Sequence, residues 1–416
     1  MQKKVPGTRD ILPEEALFWQ ELEKISRDIF TLYNYKEIRT PLIEGASLFN
    51  RSLGESTEIV QKQMFLIKNK EELYALRPEG TASIVRAYIE NNLDKTARFR
   101  KFYYFGPMFR LERPQRGRLR QFHHIGCEAI GSLDPDLDVE VIALADSLLK
   151  AFSVKDYKIK INSLGSLKDK KELIALLNKK LKSKLSALCA DCKTRFKKNI
   201  LRILDCKNDN CLKVISGLEI DDSYLCSQSR EHFSRVKAGL DALSINYEVT
   251  PYLVRGLDYY THTVFEIVHK DLGAQDALGA GGRYDNLVKE LGGPEAGAIG
   301  FAFGVERLLI AQGLRGAFGV KSLIYLIGLG EQAKQYCRVL LDELRSNKIS
   351  CDTDYENKSL KGAMRQANDL QVRFVLIIGD DELKKGIITL KDMHSSTQEE
   401  VKKEELMRLL KERLKC

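Results

Sequence analysis

Hydrophobic residues recur at helical spacing in several parts of the chain. Near the start, five apolar positions fall on one stripe: Leu17, Trp19, Leu22, Ile25 and Ile29. With Pro13 just before them, they predict an amphipathic helix over 14–32. The same kind of spacing predicts helices over 139–152 and 227–243.

Apolar and aromatic runs predict strands elsewhere. Residues 36–41 alternate charged and apolar side chains, and 100–109 and 121–131 predict two longer strands. The segment 111–120 between those two carries four arginines, so we expect a long antiparallel hairpin with an arginine-rich loop. Strand-like sequence resumes at Tyr252, and 298–312 predicts a strand that runs into a helix.

Two changes of pattern divide the chain. Residues 165–245 predict a helical insertion in a β-rich core formed by 1–164 and 246–316. The insertion begins with a lysine-rich helix over 168–188, and a cysteine-bearing segment follows over 189–211.

The last part of the chain, 322–416, alternates between the two kinds of pattern. We predict strands over 322–328, 372–379 and 386–391, and helices over 331–346 and 399–414. Such alternation is typical of a small α/β domain. The fold class predicted for the whole chain is α+β.

The composition excludes several classes of protein. The 416 residues suggest two or three domains, and 44% hydrophobic residues exclude disorder and collagen-like structure. No apolar run approaches the roughly 18–20 residues of a membrane span, and the start has no secretory apolar region. We therefore expect a cytoplasmic protein without a membrane partner. The net charge of +9 weakly favours a polyanionic partner.

The arginine-rich hairpin suggests nucleotide chemistry. Arg110 ends its first strand and Phe122 begins its second, so a guanidinium can bind a phosphate while the ring stacks on a base. A solvated basic loop beside a core phenylalanine is the alternative that the pattern alone favours. The chain has no G-x-x-x-x-G-K-[ST] loop, so any ATP must bind in another way.

Three ordered segments resemble the signatures of class II aminoacyl-tRNA synthetases. Residues 35–44, with Pro41, resemble motif 1 of that class. Residues 102–131, with Phe-Arg-Leu-Glu at 109–112, resemble motif 2, and 300–307, ending in Glu-Arg, resemble motif 3.

Further segments are similar to the histidyl-tRNA synthetase family in particular. They are Leu-Val-Arg-Gly-Leu-Asp-Tyr-Tyr-Thr at 253–261 and Gly-Gly-Arg-Tyr-Asp at 281–285, with further matches at 7–13 and 77–81. The resemblance spans essentially the whole chain. It implies a class II antiparallel sheet core, a helical insertion and a C-terminal α/β anticodon-binding domain over 322–416.

The resemblance also implies an activity, the ATP-dependent ligation of L-histidine to tRNA(His) through a histidyl-adenylate. The substrate carboxylate is then the nucleophile, so the enzyme mainly positions groups and neutralises charge on phosphorus. Arg110 and Arg255 would be catalytic, and Mg²⁺ would accompany ATP. The implied ATP-binding residues are Arg110, Glu112, Arg118, Phe122 and Arg307, with Arg113 as a further candidate. For Arg255, the alternative is a buried structural ion pair with Asp258.

Histidine recognition is implied for eight residues: Glu79, Thr81, His124, Glu128, Arg255, Tyr259, Tyr260 and Tyr284. Glu79 and Thr81 would hold the α-ammonium, and Glu128 and Tyr260 the ring nitrogens. For Tyr259, ordinary core packing is the alternative.

His124 departs from the family, which has glutamine there. A neutral His124 can accept a hydrogen bond from the ammonium, whereas a protonated one would repel it, so histidine binding would depend on pH.

Nine cysteines occur in the sequence, and the lack of a secretion signal predicts reduced thiols. Four of them, Cys189, Cys192, Cys206 and Cys211, resemble a zinc site in number and loop length. The second pair is spaced more widely than usual, so free cysteines are the favoured interpretation and zinc the less favoured one.

Two other functions compete with tRNA ligation. A histidine-binding regulatory paralogue of a histidine-biosynthesis phosphoribosyltransferase usually lacks the catalytic arginines and the C-terminal domain, both of which this chain keeps. A class II synthetase for another amino acid would not need 253–261 or 281–285. Motif 1 implies a homodimer. The lysines of 168–188 are either a phosphate-binding surface or an ordinary solvated face.

Overall fold

The structure, a computed structural model, describes residues 2–55, 57–273, 276–313 and 324–414. The chain divides into two compact units, Met1–Arg315 and Gly316–Cys416. The first two residues of the predicted strand 322–328 lie outside the described residues.

The first unit contains eleven strands and eleven α-helices among its described residues. The strands are β1 Lys36–Glu37, β2 Ile43–Gly45, β3 Phe65–Asn69, β4 Glu72–Leu76, β5 Arg100–Phe109, β6 Gln121–Ile130, β7 Tyr157–Ser163, β8 Tyr247–Val249, β9 Thr261–His269, β10 Ala277–Arg283 and β11 Ala298–Gly304. The helices are α1 Pro13–Leu32, α2 Ala46–Leu53, α3 Thr81–Glu90, α4 Leu93–Thr96, α5 Pro135–Ala151, α6 Leu167–Leu181, α7 Ala190–Lys198, α8 Asp209–Ser216, α9 Ser227–Ala242, α10 Leu287–Glu290 and α11 Val305–Gln312.

An eight-stranded sheet organises this unit, in the order β1-β5-β6-β11-β10-β9-β7-β8. The outer pairs β1·β5 and β7·β8 are parallel, and the pairs between them are antiparallel. The predicted hairpin forms as β5 and β6, in register from Arg100 opposite Ile130 to Phe109 opposite Gln121. The predicted α+β class, with an antiparallel sheet core, is confirmed.

The two faces of the sheet have different roles because side chains alternate along each strand. Tyr103 and Cys127 pack under α1, α5 and α9 in one buried cluster. Their chain neighbours Tyr104 and Glu128 face the other side, where Tyr104 joins a second cluster that includes Tyr260 and Tyr284. The alternation therefore directs Glu128 away from the helices.

Two predicted elements differ from the structure. The helix 168–188 ends as α6 at Leu181 and continues as a 3-10 helix, Lys182–Ala187. The strand expected from Tyr252 was wrong, because β9 begins only at Thr261. Side chains rather than a neighbouring strand satisfy the backbone there: Asn162 donates to the carbonyl oxygens of Pro251 and Leu253 at 3.1 and 3.0 Å.

The second unit has a mixed five-stranded sheet in the order β13-β12-β14-β15-β16. Its strands are β12 Ile324–Gly328, β13 Cys351–Thr353, β14 Phe374–Ile378, β15 Ile387–Asp392 and β16 Gln398–Lys402. Its helices are α12 Glu331–Ser346, α13 Leu360–Asp369, α14 Asp380–Lys385 and α15 Lys403–Leu414. The start of the predicted helix 399–414 was wrong, because those residues pair with β15 and bury Val401.

Among the described residues, no helix combines the length and apolar character that a membrane crossing requires.

Candidate active site

A cavity of about 320 Å³ opens on the face of the large sheet that is opposite α1, α5 and α9. Its wall includes most of the residues that the sequence predicted for ATP and histidine: Glu79, Thr81, Arg110, Glu112, Arg118, Phe122, His124, Arg255, Tyr259, Tyr260, Tyr284 and Arg307. Two predicted residues do not line the cavity. Glu128 lies behind its wall, and Arg113 is exposed in the hairpin loop. One cavity therefore brings together residues from four distant parts of the sequence.

Glu79 lies at the amino end of α3. Its carboxylate accepts the backbone N–H groups of Thr81 and Ala82 at 2.7 and 2.8 Å. Burial raises the pKa of Glu79, and these N–H groups oppose that rise. The helix end thus fixes a carboxylate at the cavity wall and favours its charged form.

Glu128 is held from two sides by hydroxyl groups. Thr81 donates to Oε1 at 2.6 Å and Tyr284 donates to Oε2 at 2.5 Å. Only 1% of Glu128 is exposed, and burial raises its pKa to about 8 despite both hydrogen bonds. The carboxyl group is therefore mostly protonated at neutral pH in the free protein.

Gly300 has no side chain, so the carboxyl group of Glu128 faces the cavity across it. A Cβ at Gly300 would come within 1.9 Å of Glu128 Oε2, and Gly300 itself lines the cavity. Since each carboxylate oxygen can accept more than one hydrogen bond, Oε2 keeps acceptor capacity on that side.

Aromatic rings form the floor of this half of the cavity. The ring centroids of Tyr259 lie 4.7 Å from Tyr260 and 5.7 Å from Tyr284. Burial raises the pKa of Tyr260 to about 12, so its hydroxyl stays protonated at neutral pH. Tyr104, which the sequence reasoning missed, lies beneath them, and a Cβ at Gly80 or Gly126 would approach its ring to 2.6 Å.

The other half of the cavity is lined by arginines. Arg110 donates from Nε to the carbonyl of Pro78 at 2.9 Å, and its guanidinium lies 5.2 Å from the centroid of the Phe122 ring. Arg118 pairs with Glu112 at 3.2 Å. Phe122 thus lines the cavity beside a positive group while it also packs against the core.

Arg255 pairs with Glu266 of β9, not with Asp258, so the predicted alternative partner was wrong. The carboxylate of Asp258 instead accepts a hydrogen bond from Asn199 Nδ2 at 3.0 Å. Arg255 Nε is buried and has no hydrogen-bond partner. The ion pair therefore holds the guanidinium at the cavity wall, with one buried N–H unpaired.

Glu306 and Arg307, at the start of α11, contact the hairpin loop, β10 and β6. Arg307 donates to the carbonyl oxygens of Gly117 and Ala277 at 2.9 and 2.5 Å. Glu306 accepts the backbone N–H of His123 at 3.0 Å. The sequence reasoning assigned no role to Glu306; its position beside Arg307 was the available signal.

His124 is neutral in this site. Its Nδ1 is buried without a hydrogen-bond partner. Burial lowers its pKa well below 6.5, and the charges of Arg110, Arg77 and Arg307 lower it further. The low pKa disfavours the protonated form that was considered from the sequence.

Arg283, from the segment 281–285, does not reach the cavity. It is fully buried and pairs with Asp138 of α5 at 2.6 Å and with Asp285 at 3.1 Å. This arginine fixes α5 to the end of β10.

The insertion contributes to the cavity wall, which the sequence reasoning did not anticipate. Arg202, Asp205 and Lys207 line it, and Arg202 Nη1 donates to the carbonyl of Gly256 at 2.9 Å. No local pattern marked these residues, since their positions depend on how the insertion packs.

Two family models match the chain. The model described as histidyl-tRNA synthetase matches residues 7–308, and the model described as anticodon binding domain matches residues 323–413.

Curated relatives are similar over nearly their full length. The histidine–tRNA ligase of Halothermothrix orenii is 46% identical, over 96% of this chain and 97% of its own. That of Bacillus subtilis is also 46% identical, over 97% of each chain. The crystal structure of apo S. aureus histidyl-tRNA synthetase has 37% identity and a TM-score of 0.82, and covers 99% of this chain and 100% of its own.

Proposed function

The chain belongs to the histidyl-tRNA synthetase family, and on that premise we propose that it joins L-histidine to tRNA(His), using ATP, through a histidyl-adenylate. The observation that carries the proposal is the division of one cavity into two halves. One half is lined by arginines and Phe122, and the other by Glu79 and tyrosines. The first suits a nucleoside triphosphate and the second an amino acid with a polar ring.

Three buried nitrogen atoms of residues that line the cavity support this assignment. His124 Nδ1, Arg202 Nε and Arg255 Nε have no hydrogen-bond partner within the protein. Because unpaired buried polar groups cost free energy, such groups at a cavity surface indicate a polar ligand.

In the first step, a carboxylate oxygen of histidine attacks the α-phosphorus of ATP, and pyrophosphate leaves. Arg110 and Arg255 bind the α-phosphate from two sides and neutralise charge as the bond forms. Arg307 and Arg118 bind the tail phosphates, and adenine stacks on Phe122. In the second step, a terminal hydroxyl of the tRNA attacks the adenylate carbonyl carbon and AMP leaves.

Mg²⁺ suits the ATP half because this ion commonly binds substrate phosphates together with one or two carboxylates. Glu112 and Glu266 supply carboxylates there, each beside an arginine. They would hold the ion, which supplies positive charge to the phosphates.

Histidine binds in the tyrosine half. Glu79 and Thr81 hold the α-ammonium with His124 as an acceptor, and Tyr259 packs against the ring. Tyr260 bonds to one ring nitrogen, and Glu128 accepts the other ring N–H across Gly300. Tyr284 keeps Glu128 in place.

The regulatory-paralogue alternative is not favoured. The arginine half would have no use in a protein that only binds histidine, and the similar curated proteins are ligases. The second unit matches an anticodon-binding model, so we propose that it reads the tRNA anticodon.

A homodimer and a cytoplasmic location complete the proposal. The small sheet β2-β4-β3 and the residue before it, which overlap the segment that resembles motif 1, expose several apolar side chains: Leu42, Ile43, Leu66, Ile67 and Leu73. An exposed apolar surface of this kind suits a two-fold interface between copies.

Histidine-dependent exchange of labelled pyrophosphate into ATP tests the activity. We expect exchange with histidine and not with other amino acids. Arg255→Gln should lower kcat by about 100-fold or more, because a donor to the transition state is lost. Arg235→Gln is the control, since Arg235 is half-exposed and pairs with Asp134. Histidine binding without exchange in the unmodified protein would support the regulatory paralogue instead.

A further inference from the structure

Four cysteines of the insertion, Cys189, Cys192, Cys206 and Cys211, converge at one point. We propose that their thiolates bind one zinc ion, and that this ion fixes the segment 189–211 against the wall of the catalytic cavity. The second part rests on the proposed function, whereas the first does not.

The distances match a tetrahedral thiolate site. All four sulfur atoms lie within 4.8 Å of one another, and Cys189 Sγ lies 3.9 Å from Cys206 Sγ. A zinc–sulfur bond of about 2.3 Å places the sulfurs of a tetrahedron about 3.8 Å apart. A disulfide would need about 2.0 Å, so these cysteines are unbonded to each other.

The wide spacing of the second pair, which favoured free cysteines in the sequence, is explained by local structure. Asn208 caps α8, and its side chain accepts the N–H groups of Asn210 and Cys211. The cap turns the chain between Cys206 and Cys211, so four intervening residues still bring both sulfurs to the same point.

Two backbone N–H groups donate to sulfur atoms of the cluster. The backbone N–H of Cys189 donates to Cys211 Sγ at 3.2 Å, and that of Asn208 to Cys206 Sγ at 3.5 Å. Outer-shell hydrogen bonds of this kind orient the ligands of metal sites.

The elements around the cluster are short. Helix α7 has nine residues, α8 eight and the 3-10 helix Ile200–Ile203 four. Helices of this length are marginal in isolation, and a metal is a common way to hold such a small assembly together.

The segment between Cys192 and Cys206 contacts the segment 253–261 twice. Asn199 Nδ2 donates to Asp258 Oδ1 at 3.0 Å, and Arg202 Nη1 donates to the carbonyl of Gly256 at 2.9 Å. Both contacts lie within three residues of Arg255, on its carboxyl-terminal side. A zinc ion that anchors the two ends of the segment therefore positions Arg202 and the chain around Arg255.

Metal analysis of the full-length protein, purified without chelator, tests the site. We expect about one zinc per chain. Cys189→Ser should lose most of it, and Cys189→His should keep it, since imidazole also binds zinc. Cys226→Ser, a cysteine of the insertion outside the cluster, should keep full zinc. Cobalt in place of zinc should give the strong visible bands of tetrahedral thiolate coordination.

Less than about 0.2 zinc per chain in fully active wild-type protein would overturn the metal site. So would a Cys189→Ser variant that retains full zinc, or iron in its place. These readouts are independent of catalysis, so absent pyrophosphate exchange in a zinc-loaded protein would contradict the proposed function and leave the metal site standing.

Removal of zinc tests the positioning role. Zinc-depleted protein should keep the circular dichroism of its folded sheet but lose about tenfold or more in pyrophosphate exchange, and added zinc should restore it. Full exchange without zinc would overturn this second part.

Discussion

Gly300 and Glu128 face each other across β11 and β6, so closely that a Cβ on Gly300 would come within 1.9 Å of Glu128 Oε2. The carboxylate cannot move aside easily, because Thr81 and Tyr284 hold its two oxygens. The absence of one side chain thus keeps a buried acid within reach of the cavity.

Gly300→Ala should therefore impair histidine binding. The added methyl group displaces Glu128 from its two hydroxyl partners, and we expect the KM for histidine to rise by about 100-fold with a smaller change for ATP. Pyrophosphate exchange at varied concentrations of each substrate measures both. Gly217→Ala is the matched control, since its nearest neighbouring atom lies 3.7 Å from the added Cβ. Equal changes in both KM values would contradict this role.

Histidine binding should release a proton. Burial raises the pKa of Glu128 to about 8, so the free site carries a proton there below that pH. The cationic ammonium of the ligand favours the ionised carboxylate, and expelling the proton becomes easier as pH rises. Affinity should increase from about pH 6.5, above the ring pKa of free histidine, and level off above 8.

Calorimetry at pH 7 in buffers of different ionisation enthalpy measures the released proton. Glu128→Gln should bind more weakly and release none. Proton uptake by the wild-type protein would contradict the assignment.

His124→Gln should lower the KM for histidine. The amide oxygen can accept two hydrogen bonds where the neutral imidazole accepts one, and a second hydrogen bond of about 1 kcal/mol corresponds to roughly fivefold. Because the pKa of His124 lies well below 6.5, the ratio should be equal at pH 6 and pH 8. His394→Gln, an exposed position in the second unit, is the control. An unchanged or higher KM for histidine would show that His124 already serves the ammonium as well as an amide does.

The affinity for tRNA should fall steeply with salt, whereas amino-acid activation should change little, since phosphate contacts release counterions. Three lysines of the segment 168–188 stabilise the fold by donating hydrogen bonds to backbone carbonyls. They are Lys170, Lys180 and Lys184. Lys179 and Lys182 are exposed.

Replacing Lys179 and Lys182 with alanine should reduce the salt slope of tRNA binding by about one per lost phosphate contact. Lys24→Ala on α1 should leave the slope unchanged. A double variant with the wild-type slope would mean that these lysines are only a solvated face.

The pattern of apolar residues predicted helices and strands well in segments where only one spacing, helical or alternating, is present. The hairpin of β5 and β6 follows from alternating aromatic and apolar residues, and α12 begins and ends where its stripe does. The segment 251–260 looked like a strand because its composition suits one. Its carbonyl oxygens are taken by side chains from elsewhere, which no local pattern records.

The resemblance indicated the residues of the site but not their pairing. Glu266 lies eleven positions from Arg255 and Asp258 only three, yet Glu266 is the partner because β9 turns it to the cavity. The three-way contact of Thr81, Glu128 and Tyr284 depends on tertiary packing of distant segments. The wide spacing of Cys206 and Cys211 likewise did not reveal that the four cysteines converge.

The order of strands in the large sheet has a consequence for synthesis. Strand β6 pairs with β11, and residues 131–297 lie between them in the chain. At about 5–20 residues per second, a ribosome needs on the order of ten to thirty seconds to make that stretch. Throughout this interval the nascent hairpin presents an unpaired edge of β6, which can recruit strands of other chains. The yield of folded protein therefore depends on how well that edge is shielded before β11 emerges.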